Sequence, residues 1–207
     1  MSVIVSETEM YYQEPKKIAF VGSSCSGKTT IANLFYNKLL KEGKEVMKLS
    51  IAGPIKLIAK KKYGSESRKD WIMIGMEVRA IDENHWINLL KKRIEEFGPN
   101  MNIIVDDVRF KNEVGVLTTL GFKIVHMDIS WNERFDRLIK KVGTNNPQVF
   151  TDHARWFSHT SELLELPKNF FDYTIKKDQD RFKLFDIEFG MNENEVVQLE
   201  NQKQFNY

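Results

Sequence analysis

Short apolar runs alternate along the chain with stretches in which apolar residues return every three or four positions. Lys17–Val21 is an apolar run that breaks at the glycine- and serine-rich Gly22–Gly27, as where a buried strand meets a loop. After Thr29, the residues Ile31, Leu34, Phe35, Leu39 and Leu40 recur at helical spacing as far as Glu42 and Gly43, where a glycine stops a helix. Val46–Ile51 reads as a second strand. Pro54–Tyr63 reads as a basic helix with proline near its first position and Gly64 at its end. Trp86, Leu89, Leu90, Ile94 and Phe97 form the cleanest amphipathic stripe, with Asp82 upstream as a cap. Asn102–Val105 is a third strand running into Asp106 and Asp107, Asn112–Leu120 a helix stopped by Gly121, and Phe122–Ile129 a fourth strand. Trp131–Lys141 is a further helix, and Phe170–Lys176 the last strand.

This alternation predicts an α/β fold with a mostly parallel sheet and helices on both faces, because parallel neighbours need crossover connections and helices supply them. The 207 residues fit one domain, 17–190, with small appendages. Met1–Lys16 reads as a leader or an added edge segment, and the polar tail at 191–207 as unassigned or frayed.

Hydrophobic residues make up 42% of the chain, enough for an ordinary core. The formal charge of +2 gives no global field of the kind that marks nucleic-acid or membrane binders, so any anion recognition must be local. The start lacks the pattern of a secretory signal, and no run of about 18 uncharged apolar residues occurs. With a single cysteine, Cys25, the expected setting is cytoplasmic, and the expected partners are small molecules, with a homodimer as a candidate assembly.

Gly22 to Thr29, GSSCSGKT, matches the pattern G-x-x-x-x-G-K followed by Ser or Thr, after a predicted strand and before a predicted helix. Such a loop turns successive backbone N–H groups onto phosphate oxygens, and the following helix adds its positive end. Lys28 is the expected contact to the β and γ phosphates of ATP, and the Thr29 hydroxyl the expected Mg²⁺ ligand. Gly22, Ser23, Ser24, Cys25, Ser26, Gly27 and Thr30 complete the candidate nucleotide set. Cys25 reads as a small loop residue, the alternative being a reactive thiol.

Asp106 and Asp107 end a buried strand, where open α/β sheets take their ligands. One of them, Asp106 being the candidate, is expected to hold the Mg²⁺ shell or to orient the acceptor. Arg109 follows two residues on, and Arg68, Arg79, Arg134 and Arg137 are further cations able to grip anionic oxygens. Phosphoryl transfer needs positioning and positive charge more than covalent chemistry, so this arginine-rich set without a histidine base suits an acceptor that is itself a phosphate monoester. Arg134 and Arg137 share a helix face and form either a lid over ATP, within about 131–160, or a plain exposed face. Trp71, Trp86, Trp131 and Trp156 read as core, and His85, His126 and His153 show no metal-ligand spacing.

The chain resembles the deoxynucleoside monophosphate kinases of bacteriophages and large DNA viruses. The resemblance rests on GSSCSGKT, IAGPIK at Ile51 to Lys56, GMEVRAIDENHWINLL at Gly75 to Leu90, VDDVRFKNE at Val105 to Glu113, and HTSE at His159 to Glu162. It implies a three-layer P-loop kinase fold of about five parallel strands, an acceptor-binding insertion at about 52–100 and a helical lid. It also implies Mg²⁺-ATP as donor and a deoxynucleoside monophosphate as acceptor. On this resemblance Arg79 and Arg109 hold the acceptor phosphate, Ser161 and Glu162 lie near its sugar or base, and Lys56, Arg68 and Trp86 complete the candidate acceptor set. Animal phosphomevalonate kinases show a similar order of motifs but resemble this phosphate loop less. A P-loop protein that uses nucleotide as a switch is the non-enzyme alternative.

Overall fold

A computed structural model of the chain describes residues 14–143 and 167–202. Ser161, Glu162 and Trp156, most of the expected leader and the far part of the expected lid lie outside the described residues. Strand β1 (Lys17–Val21) sends Ile18 and Phe20 to one face of a sheet and Ala19 and Val21 to the other, all of them buried, as a central strand requires. Around it, β2 (Val46–Leu49), β3 (Asn102–Val108), β4 (Lys123–Met127) and β5 (Tyr173–Ile175) make a five-stranded sheet among the described residues, in the order β2-β3-β1-β4-β5. Every pairing is parallel, with Ile18 opposite both Ile104 and Lys123.

One face is covered by α1 (Lys28–Lys41), α7 (Asp180–Phe189) and α8 (Glu193–Asn201). Phe35 of α1 lies at its centre, with ring centroids 5.6 Å from Phe20 and 4.7 Å from Phe185. The other face carries α2 (Gly53–Tyr63), α3 (Arg68–Ile81), α4 (His85–Glu96) and α5 (Lys111–Thr119). Helix α6 (Trp131–Val142) follows β4.

Three helices depart from the sequence reading. The tail expected to be unassigned forms α8, whose Asn192 and Glu195 cap one another's backbone N–H groups while Val196 and Leu199 are buried against α1 and α7. Helix α3 starts at Ser67, whose side chain accepts from the Asp70 N–H, and α7 fills the stretch after β5. Asp82 is not the cap of α4: it closes α3, and its side chain accepts from the N–H of Asn84, the residue that precedes α4.

Glu188 of α7, with its side chain 3% exposed, accepts from Lys16, Lys123 and Tyr173 at 3.0, 2.6 and 2.8 Å, tying the residue before β1, together with β4 and β5, to α7. Burial pushes its carboxyl up, but the three donors outweigh this and hold it below the usual carboxylate range. A depressed folded pKa contributes stability above the unfolded value of about 4.3, and this is lost as pH falls through the folded value. Glu188→Gln is therefore expected to lower the melting temperature by roughly 5–10 °C at pH 7. The gap from wild type should shrink below about pH 4 in a thermal-melt series.

Candidate active site

The phosphate loop lies between β1 and α1, and its shape depends on residues that accept unusual backbone angles. Gly22 has φ 145°, and a side chain there would come within 2.8 Å of the Met127 carbonyl oxygen, so only glycine lets the loop pass β4. Gly27 has φ 93° immediately before α1. Cys25 takes the left-handed φ of 58°, the one such non-glycine residue among those described, at a strain of about 1–3 kcal/mol.

Lys28 is 6% exposed and donates to the carbonyls of Gly22 and Ser23 at 2.7 and 2.6 Å and to Ser26 Oγ at 3.3 Å. Its ammonium thus sits inside the curve of the loop, where the motif requires a cation for phosphate. Thr29 and Thr30 are exposed on the first turn of α1.

Helix α6 is clamped on this loop, not displayed as a free face. Arg134, 9% exposed, donates to the carbonyls of Ile129 and Ser24. Arg137 donates to the Cys25 carbonyl and pairs with Glu133 and Asp178 at 2.9 and 2.7 Å. Both arginines therefore stand against the phosphate loop.

The two strand-end aspartates part company, because successive strand residues point to opposite faces. Asp106, 8% exposed, faces α1: its Oδ2 is 3.5 Å from Lys48 Nζ, which donates to Asn33 one helical turn beyond Thr29. Asp107 faces α2, accepting from Ser50 Oγ at 2.6 Å and from the backbone N–H groups of Ile51 and Ala52 at 2.8 and 2.9 Å. Among the described residues no three His, Cys, Asp or Glu converge as a metal cage. Mg²⁺ held through phosphates and water needs only one or two protein oxygens, and Thr29 and Asp106 fit that mode.

Beside Asp107 opens a cleft whose lining includes Lys56, Arg68, Arg79 and Arg109, together with Trp71, Phe110 and Glu113. Four cations proposed from separate sequence segments thus meet in one place. Lys56 Nζ is 5.1 Å from the centre of the Trp71 ring, and the Arg79 guanidinium lies 4.2 Å from that of Phe110. Trp86 does not join them. It is 1% exposed in the core, and its indole N–H donates to the Gly75 carbonyl, bracing α3 from behind. The expectation that the tryptophans are core holds for Trp86, but Trp71 lines the cleft and Trp131 is 49% exposed. Sequence reading passed over Lys48, Phe110 and Glu113 as site residues. Only Glu113 carried a signal, as the acid three residues into a helix.

No protein-family model matches the chain, and no curated protein matches it in sequence. Among solved structures, the APS kinase CysC of Mycobacterium tuberculosis, in complex with AMPPNP and APS, is similar with TM-score 0.56 and 17% identity, over 84% of this chain and 97% of that one. The protein APE1195 is similar with TM-score 0.50 and 20% identity, over 92% and 96%. The parallel sheet with helices on both faces, the strand–loop–helix cradle and the first of these likenesses together give the chain the P-loop kinase fold.

Proposed function

We propose that the protein transfers the terminal phosphoryl group of ATP to a deoxynucleoside monophosphate, giving the diphosphate and ADP. The observation that carries the reading is the charge of the cleft. Lys56, Arg68, Arg79 and Arg109 face two carboxylates, Asp107 and Glu113, which leaves two positive charges. A phosphate monoester carries about −1.5 to −2 at neutral pH and matches that excess. The apolar and aromatic remainder of the wall, Ile51, Ile55, Ile72, Met76, Trp71 and Phe110, suits a flat base better than a short branched acid.

On this reading Lys28 exchanges the carbonyls of Gly22 and Ser23 for the β and γ phosphates, and the loop N–H groups bind the same oxygens. Arg134 and Arg137, already against the loop backbone, supply charge where it develops on the transferred group. Thr29 and Asp106 would hold Mg²⁺, which would supply positive charge against the phosphates. An acceptor phosphate oxygen forms the new bond to the γ phosphorus while the bond to the β–γ bridging oxygen breaks. ADP leaves with that electron pair. The acceptor is already ionised, so no side chain has to remove a proton.

Acceptor-dependent ADP release is the test, with Mg²⁺, ATP and each of dAMP, dCMP, dGMP, dTMP and phosphomevalonate. Turnover with at least one deoxynucleotide is expected. Turnover with phosphomevalonate alone would replace the acceptor assignment, and ADP release indifferent to every acceptor would favour a nucleotide switch.

A further inference from the structure

Glu113 is 2% exposed at the start of α5, and each of its carboxylate oxygens has a separate task. Oε2 accepts from the backbone N–H groups of Arg109 and Phe110 at 2.8 and 3.0 Å, which fixes the turn into the helix. Oε1 accepts from Arg79 Nη2 at 3.0 Å, across from α3. Capping a helix requires only the first of these. The second oxygen joins the backbone of one candidate phosphate-gripping arginine to the guanidinium of the other.

Arg79 is confined on its remaining sides as well. Its guanidinium lies over the Phe110 ring, and Nη1 donates to the Gly75 carbonyl at 3.3 Å. A side chain at Gly75 would come within 3.1 Å of that same Nη1, so the glycine leaves room for the arginine to fold back. Ring, carbonyl and carboxylate together fix the plane of the guanidinium, and the carboxylate ties that plane to the backbone N–H of Arg109.

We propose that Glu113 is a positioning residue that holds Arg79 and Arg109 in mutual registry, as two jaws closing on the acceptor's phosphate. The inference rests on the kinase reading above and names how its acceptor site is assembled. A phosphate bound by two cations at once gains from this preset spacing, because the Arg79 guanidinium and the Arg109 backbone do not have to be ordered on binding.

The experiment compares Michaelis constants for acceptor and ATP in Glu113→Gln, Glu113→Asp, Arg79→Lys and the double variant Glu113→Asp/Arg79→Lys, with melting temperatures taken alongside. Glutamine offers one oxygen and sets its NH₂ against either Arg79 or the two backbone N–H groups. Aspartate keeps a carboxylate at the helix start, and so the fold, while shortening the reach to Arg79. Both single changes at Glu113 are expected to raise the acceptor KM about tenfold, the loss of one charge-assisted hydrogen bond, with the ATP KM within about twofold. The double variant is expected to be little worse than the worse of its parents, as for residues that act as one unit. If Glu113→Gln does not fold, Glu113→Asp decides. An unchanged acceptor KM, equal rises for both substrates, or strictly additive effects in the double variant would each overturn the positioning role while leaving the kinase reading intact. A wild-type protein that turns over no acceptor at all would overturn both.

Discussion

Lys28→Met is expected to cut phosphoryl transfer by at least about 10²–10³-fold, the scale for losing one preorganised charged contact to a transition state. Methionine keeps most of the buried stem that packs beneath the loop, so the fold and melting temperature should change little. What disappears is the ammonium inside the curve of Gly22 and Ser23. Acceptor-dependent ADP release measures the loss. ATP titration under single-turnover conditions separates weaker binding from slower chemistry. A Lys28→Met protein with near-normal turnover would remove the phosphate loop from the active site altogether.

Asp107→Ala is expected to be nearly as damaging, at about 10²-fold in acceptor kcat/KM, for a different reason. Its carboxylate gathers Ser50 Oγ and the N–H groups of Ile51 and Ala52, the residues that lead into α2. Alanine leaves two half-buried backbone donors without their anionic acceptor, at roughly 1–3 kcal/mol each. In a chain of this length that lowers the melting temperature by about 2–12 °C if half of the cost is realised. The wall bearing Ile51, Ile55 and Lys56 then shifts, and a misplacement of about 1 Å is enough for a 10²-fold loss. ATP affinity should hold, because the nucleotide loop hangs from β1 and α6. Equal losses for ATP and acceptor would show that Asp107 supports the whole centre and not the acceptor wall.

The phosphate loop was legible because it is local: eight consecutive residues, with a strand before and a helix after, form it. The pairing of Arg79 with Arg109 was reached only through resemblance, since periodicity does not say that α3 and α5 touch. Asp106 and Asp107 could have been told apart by the period-2 rule alone, as Ile104 and Asp106 share one face and Val105 and Asp107 the other. Helix α8 was hidden by composition. Its buried side has only Val196 and Leu199 in a stretch of Asn, Gln and Glu, and tertiary contact with α1 decides its state where local hydrophobicity does not. Helix α3 escaped notice although Ser67 and Asp70 carried its start signal, because a glycine at 75 breaks the apolar stripe that would have announced it. Trp86 reads from the sequence both as core and, as part of the segment that carries the resemblance, as one of the acceptor set; its buried ring agrees with the first reading and lies outside the cleft.

Asp106 and Asp107 leave β3 in opposite directions from a single peptide unit, whose α-carbons are held about 3.8 Å apart by a bond that barely twists. The phosphate-loop side and the cleft side thus diverge across one stiff peptide unit of β3, a strand paired with β1 on one edge and β2 on the other. Loosening of α2, α3 or α6 changes how tightly a ligand is gripped, but the gauge between the two sides stays constant. Damage at the periphery should therefore appear first as weakened affinity, with the alignment of the reacting groups surviving until β3 itself gives way.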